Sequence, residues 1–178
     1  MSSRCLLVAR ALLARTKANQ DSYYCETHFA GDDQKAFFAV FDGHGQYGNV
    51  CSQFAAEQLP ENIIKNLDEN VGILPALTRA HGQTNRAMHE ASFDDSMSGT
   101  TSISVLFCGN EIHVSNVGDS RAIVAQENLK ASTRGGEANL VAKPLSIDQT
   151  PFRQVGRELT CVCGFFLLKS LLIVECVC

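Results

Sequence analysis

Apolar residues run almost without interruption from Ala36 to Phe41 and stop at Asp42-Gly43. A short continuous apolar run bounded by a turn dipeptide predicts a buried strand that delivers Asp42 at its end. From Gln46 to Leu67 the spacing becomes helical. Val50, Phe54, Ala55 and Leu59 make one stripe, and Ile63, Ile64 and Leu67 continue it beyond Pro60. A proline in a helix interior removes a backbone donor and crowds the preceding turn, so a break or kink is expected at Pro60. A second helical stretch, from about Leu74 to Ala91, places Leu77, Ala80, Thr84, Ala87 and Met88 on one face.

From Thr100 the period changes to two. Thr101, Ile103, Val105 and Phe107 alternate with Ser102, Ser104, Leu106 and Cys108. Gly109-Asn110 supplies a turn, Glu111 to Asn116 returns as a strand, and Val117-Gly118-Asp119-Ser120 turns again into Arg121 to Ala125. These strands are expected to form an antiparallel meander, followed by an exposed polar connection from Gln126 to Lys143. A strand, two helices and three antiparallel strands predict an α+β architecture with helices packed on a sheet. The alternation of a parallel Rossmann sheet is absent, as are G-x-G-x-x-G and a P-loop, so nucleotide binding has no support in the sequence.

Composition adds little. The 178 residues are 45% hydrophobic and 19% charged, with a formal net charge of -4, which suits one globular domain. No basic run marks a nucleic-acid surface. Cys5, Cys25, Cys51 and Cys108 lie scattered among apolar neighbours and are expected to be buried, reduced thiols in a cytosolic chain. Cys161, Cys163, Cys176 and Cys178 crowd the end of the chain, where their Cys-x-Cys spacing and the lack of a nearby histidine argue against zinc. Residues 1–17 carry Arg4, Arg10, Arg15 and Lys17 with no acidic residue, which reads either as a transit peptide or as the lead-in to the domain.

Candidate chemistry centres on Asp42-Gly43-His44-Gly45. A carboxylate held at a strand end, beside a glycine carbonyl, offers two adjacent oxygen ligands to a hard cation such as Mg²⁺ or Mn²⁺. Glycines on both sides of the histidine let backbone approach a bound ion closely. His44 is the nearby group suited to proton transfer near neutrality. Asp21 and Asp119 are further carboxylates, although each alone reads equally well as a turn or cap residue.

Five motifs occur in order: Lys17-Ala18-Asn19-Gln20-Asp21-Ser22, Phe37 to Gly45, Ser98-Gly99-Thr100-Thr101, Asn116-Val117-Gly118-Asp119-Ser120-Arg121, and Leu145-Ser146-Ile147-Asp148-Gln149-Thr150-Pro151. Through them, from Thr16 to Arg153, the chain resembles metal-dependent protein serine/threonine phosphatases of the 2C (PPM) type. The resemblance implies a four-layer α-β-β-α sandwich of two antiparallel sheets flanked by helices, with Mg²⁺ or Mn²⁺ ions at one end. It implies that Asp42 bridges two metals, that the Gly43 carbonyl binds one, that Asp21 holds metal-bound water, and that Asp119 serves a further, weaker metal. A metal-bridging hydroxide would attack the phosphorus of phosphoserine or phosphothreonine proteins directly, and His44 would protonate the departing oxygen. Thr101 falls where the family places a core-facing threonine beside the metals.

The chain departs from that pattern in three places. Gln20 stands where many members carry glutamate, which keeps an oxygen acceptor and loses a charge. The phosphate-gripping arginine of many members is replaced by Thr16, leaving Arg15 and Lys17 as surrogates, and a lysine would not reproduce a bidentate clamp. After Asp148 the later Asp-Gly and Asp-Asn segments do not occur. Residues 1–15 are therefore read as a lead-in, 16–153 as a partial phosphatase domain incomplete at its C-terminus, and 154–178 as an apolar, cysteine-rich tail. The tail reads as a membrane anchor, as native core structure, or as text foreign to the phosphatase; Gln154-Val155-Gly156 suits read-through into an intron and favours the last. Weak metal binding, uncovered sheet edges and low activity are then expected. A non-catalytic, pseudophosphatase-like binding module and a membrane-tethered variant are the competing classes. The expected setting is a monomer in the cytoplasm or nucleus, with mitochondria left open by the basic start, and without nucleic acid or membrane as partner.

Overall fold

The computed structural model describes residues 19–127 and 140–149, together with the backbone of two strands within 161–166 and 170–175. The elements are β1 (Asp21–Glu26), a 3-10 turn (Phe29–Gly31), β2 (Lys35–His44), α1 (Gly48–Asp68), α2 (Ile73–His89), β3 (Gly99–Thr100), β4 (Ser102–Cys108), β5 (Glu111–Val117), β6 (Arg121–Glu127), β7 (Leu140–Pro144), β8 (Cys161–Phe166) and β9 (Ser170–Glu175). One antiparallel sheet has the order β1-β2-β4-β5-β8, with β3 on the end of β2, and the other has the order β7-β6-β9.

Strand alternation makes β2 the wall between two cores. Phe37, Ala39 and Phe41 face α1 and α2, where they pack with Cys51, Ala55, Leu59, Ile63, Leu77 and Ala80. Val40 faces the second sheet, with Ile103, Val105, Ile112 and Val114 packed against Ala122, Val124 and Leu145. The sandwich follows from this: one strand with apolar residues at both parities must be covered on both sides. Serines on the helix side of β4 and β5 are paired, Ser104 Oγ meeting Ser115 Oγ at 2.6 Å, which satisfies two hydroxyls inside the core.

Several expectations change. The three strands after Thr100 do not form a meander, because β6 leaves the sheet of β4 and β5 and stacks over it. The corner is Gly118, at φ +98°, whose missing side chain leaves room for Thr101: a Cβ there would lie 2.8 Å from Thr101 Cγ2. Helix α1 runs unbroken through Pro60, since Leu59, Pro60 and Ile63 are all buried and packing outweighs one lost backbone bond. Strand β1 and the 3-10 turn, whose Phe29 stacks on Phe37 at 4.9 Å, are additions to the pattern read from the sequence.

Helices cover one outer face; the second helical layer has no counterpart among the described residues. The free edges of β5 and β6 are taken by β8 and β9, so the tail supplies a strand to each sheet. On the inner face of β1, Tyr23 is 66% exposed, and Cys25 is exposed rather than buried. Cys51 is buried and Cys108 half-buried, all three as free thiols. Among the described residues no helix is long and apolar enough to cross a membrane.

Candidate active site

The site is built at the end of β2. Asp42 lies opposite Asp21 in the antiparallel register of β1 and β2, so the two side chains project to the same face. Partial burial, then the charge of Asp42 and a hydrogen bond between the carboxyl groups, push Asp21 above the usual carboxylate range. Asn19 Oδ1 accepts the Asp21 N–H at 3.0 Å, so the local turn is made by the Asn19 side chain and not by the Asp21 carboxyl.

Asp42 is held from the other side by Thr101. The Asp42 N–H donates to Thr101 Oγ1 at 3.1 Å, and the Thr101 N–H donates to the Asp42 carbonyl at 2.9 Å. Thr101 Oγ1 also meets Ser120 Oγ at 2.6 Å, which ties the Gly118–Ser120 corner to the β2 end. Asp119 is exposed on that corner. Arg121 makes a forked pair with Asp148, Nε to Oδ1 at 3.0 Å and Nη2 to Oδ2 at 2.5 Å, and the Gln149 N–H reaches the Gly118 carbonyl at 2.8 Å. The last two motifs thus brace one corner.

Gly43 and Gly48 form a cradle. A Cβ on Gly43 would sit 2.1 Å from the Gly48 carbonyl oxygen and 2.6 Å from that of Gln20, and one on Gly48 would sit 2.7 Å from the Gly43 carbonyl carbon. Only glycine allows these backbones to approach so closely. His44 is exposed, paired in register with Gly99, and its ring lies where a side chain on Gly99 would be. It borders a cavity of about 500 Å³ with an apolar floor that includes Phe41, Leu59 and Met88, and a polar rim of His89, Asp95 and Ser98.

A family profile described as protein phosphatase 2C matches residues 8–157. The chain belongs to the protein phosphatase 2C family. Probable protein phosphatase 2C 35 of Arabidopsis thaliana is 40% identical over 157 residues, covering 86% of this chain and 42% of that protein. Probable protein phosphatase 2C 64 of Oryza sativa subsp. japonica is 31% identical over 144 residues, covering 77% and 32%. The fold matches a crystal structure of serine-threonine phosphatase 2C from Toxoplasma gondii with a TM-score of 0.62 at 20% identity, over 77% of this chain and 48% of the other. A C. elegans sex determining protein matches with the same TM-score at 18% identity, over 89% and 48%. The chain spans less than half the length of each of these four proteins.

Within this protein phosphatase 2C chain, the structure brings together Gln20, Asp21, Asp42, Gly43, His44 and Thr101, and sets Asp119 on the neighbouring corner. Among the described residues no three His, Cys, Asp or Glu side chains close around a common point as a metal would require. Two observations still suit a divalent cation: opposed carboxyls that repel one another, and a glycine cradle that any side chain would fill. Arg15 and Lys17 lie outside the described residues. Sequence reasoning overlooked Ser120, Ser52 and Ser98. Ser52 Oγ donates to the Gln20 carbonyl at 2.6 Å, and the Tyr47 N–H donates to Ser98 Oγ at 2.9 Å. Ser98 and Ser120 fall inside the recognised motifs, so a signal was present for two of the three.

Proposed function

We propose that this chain carries the N-terminal part of a protein serine/threonine phosphatase site that hydrolyses phosphoserine and phosphothreonine with Mg²⁺ or Mn²⁺. The observation that carries the reading is the opposition of Asp21 and Asp42 beside the Gly43 cradle. Asp42, the Gly43 carbonyl and Asp21 would hold the cation, with Asp119 nearby for a further one. The bound cation supplies positive charge that offsets the phosphoryl group and favours attack by water at neutral pH.

The remaining chemistry belongs to the chain. Thr101 and Ser120 fix the backbone of Asp42, so its carboxylate enters the site without reorganising. His44, exposed at the strand end, would hand a ring proton to the departing seryl or threonyl oxygen. Arg15 and Lys17 would attract the phosphate. Turnover should be slow, because two opposed carboxylates are a partial ligand set.

That partial set also favours a second reading, a non-catalytic module that holds phosphoproteins. Phosphate release from phosphothreonine and phosphotyrosine peptides, with Mn²⁺ and with chelator, separates them. Slow Mn²⁺-dependent release from phosphothreonine alone, lost in Asp42→Asn, supports the phosphatase. Peptide binding without release supports the module, and release that persists in chelator or in Asp42→Asn overturns the proposal.

A further inference from the structure

Gln20 makes one side-chain contact that a carboxylate could not make. Its side-chain Nε2–H donates to the Gly45 carbonyl at 2.8 Å. Turning the amide over would set Oε1 against that carbonyl, two acceptors at the same separation, so the hydrogen-bond partner fixes the orientation. The Gln20 carbonyl accepts the Gly43 N–H at 3.2 Å and the Ser52 hydroxyl at 2.6 Å. Ser52 itself is fully buried and joined to Ser22 Oγ at 2.9 Å, which anchors this junction to both α1 and β1.

The two glycines of the cradle are shaped around the same residue. A Cβ on Gly48 would lie 3.0 Å from Gln20 Nε2 and 3.1 Å from its Cδ, and one on Gly43 would lie 2.6 Å from its carbonyl oxygen. Gly45 has φ +86°, a conformation that glycine reaches freely and that an external hydrogen bond can hold in one state. Gln20 thus grips the loop at Gly43 through its backbone and at Gly45 through its side chain, with His44 between them.

We infer that Gln20 is a positioning residue, an amide clamp across Gly43 and Gly45 that sets the backbone carrying His44 and the Gly43 carbonyl. The amide supplies a donor that a carboxylate would lack. A glutamate would face the Gly45 carbonyl with a second acceptor and release the loop. The consequence for turnover rests on the proposed phosphatase reading, whereas the clamp itself does not.

Hydrogen exchange of the metal-free full chain tests this. Gln20→Glu and Gln20→Met should each speed exchange of the Gly43–Cys51 segment about tenfold, the scale of one lost hydrogen bond, while Ile103–Val114 keeps its protection. In the unsubstituted protein, one Gln20 side-chain N–H should exchange at least about tenfold more slowly than those of the exposed Gln46 and Gln34 by NMR. If a variant loosens the whole fold, that side-chain signal decides. Unchanged loop exchange, or a Gln20 amide as fast as the exposed ones, overturns the clamp. Tighter Mn²⁺ binding by Gln20→Glu with the loop still protected would likewise assign residue 20 to the cation instead. Because exchange is read without metal, failure of the phosphatase reading and failure of the clamp are distinguishable.

Discussion

Asp21 and Asp42 face one another across the β1–β2 pair, and burial, followed by the charge of Asp42 and a hydrogen bond between the two carboxyl groups, raises the Asp21 pKa. Like charges placed directly across a strand pair destabilise a sheet unless something sits between them. The site's first consequences are therefore structural.

Gly43→Ala should be among the most damaging small substitutions. The new Cβ would meet backbone oxygens at 2.1 and 2.6 Å, and neither can swing away as a side chain could. A loss of about 3 kcal/mol, at the upper end for forced overpacking, is expected. Urea denaturation measures it; a change under about 0.5 kcal/mol would show that the cradle is loose.

Thr101→Val tests the link between the strand end and the Asp119 corner. The substitution keeps the shape but deletes the oxygen that accepts the Asp42 N–H and meets Ser120 Oγ. A cost of about 1–3 kcal/mol is expected, with Thr101→Ser close to the original. Equal stability of the Val and Ser variants would remove the hydroxyl from the account.

His81 predicts a pH dependence. Burial pushes its imidazole below the usual range, against a weaker opposing effect from the Leu77 carbonyl, which Nδ1 meets at 2.9 Å; Nε2 lies 3.3 Å from Ser102 Oγ. Below about pH 6.5 the unfolded chain binds a proton that the folded chain refuses, so stability falls as pH drops below that value and is fully present above it. Thermal melts between pH 7.5 and 5.5 should show a shallower decline for His81→Gln. Parallel slopes for the two proteins would contradict the assignment.

What could be read in advance follows from range. The strand ending at Asp42 and the helices at Gly48–Asp68 and Ile73–His89 are written in runs and periods of nearby residues, so they were visible. The destination of Arg121–Glu127 was not, because alternation looks the same whether a strand joins its neighbour or stacks over it. Pro60 misled because its buried neighbours, Leu59 and Ile63, lie on a face whose partners come from β2 and α2. Asp21 looked like a turn residue because its partner is 21 positions away across a strand pair that its polar-edged sequence does not announce. The family motifs located Asp42, Thr101 and Asp119 but not the serines that tie them together, since a serine's role depends on which hydroxyl it meets.

The central claim is that Asp21 and Asp42 together form a divalent-cation site, and paramagnetic broadening by Mn²⁺ tests it most directly. On titration to the millimolar range, as expected for a partial ligand set, the amide signals of Asp21, Asp42, Gly43 and His44 should broaden first, and Asp42→Asn should abolish the effect. Broadening centred elsewhere, or equal broadening in Asp42→Asn, would contradict the account.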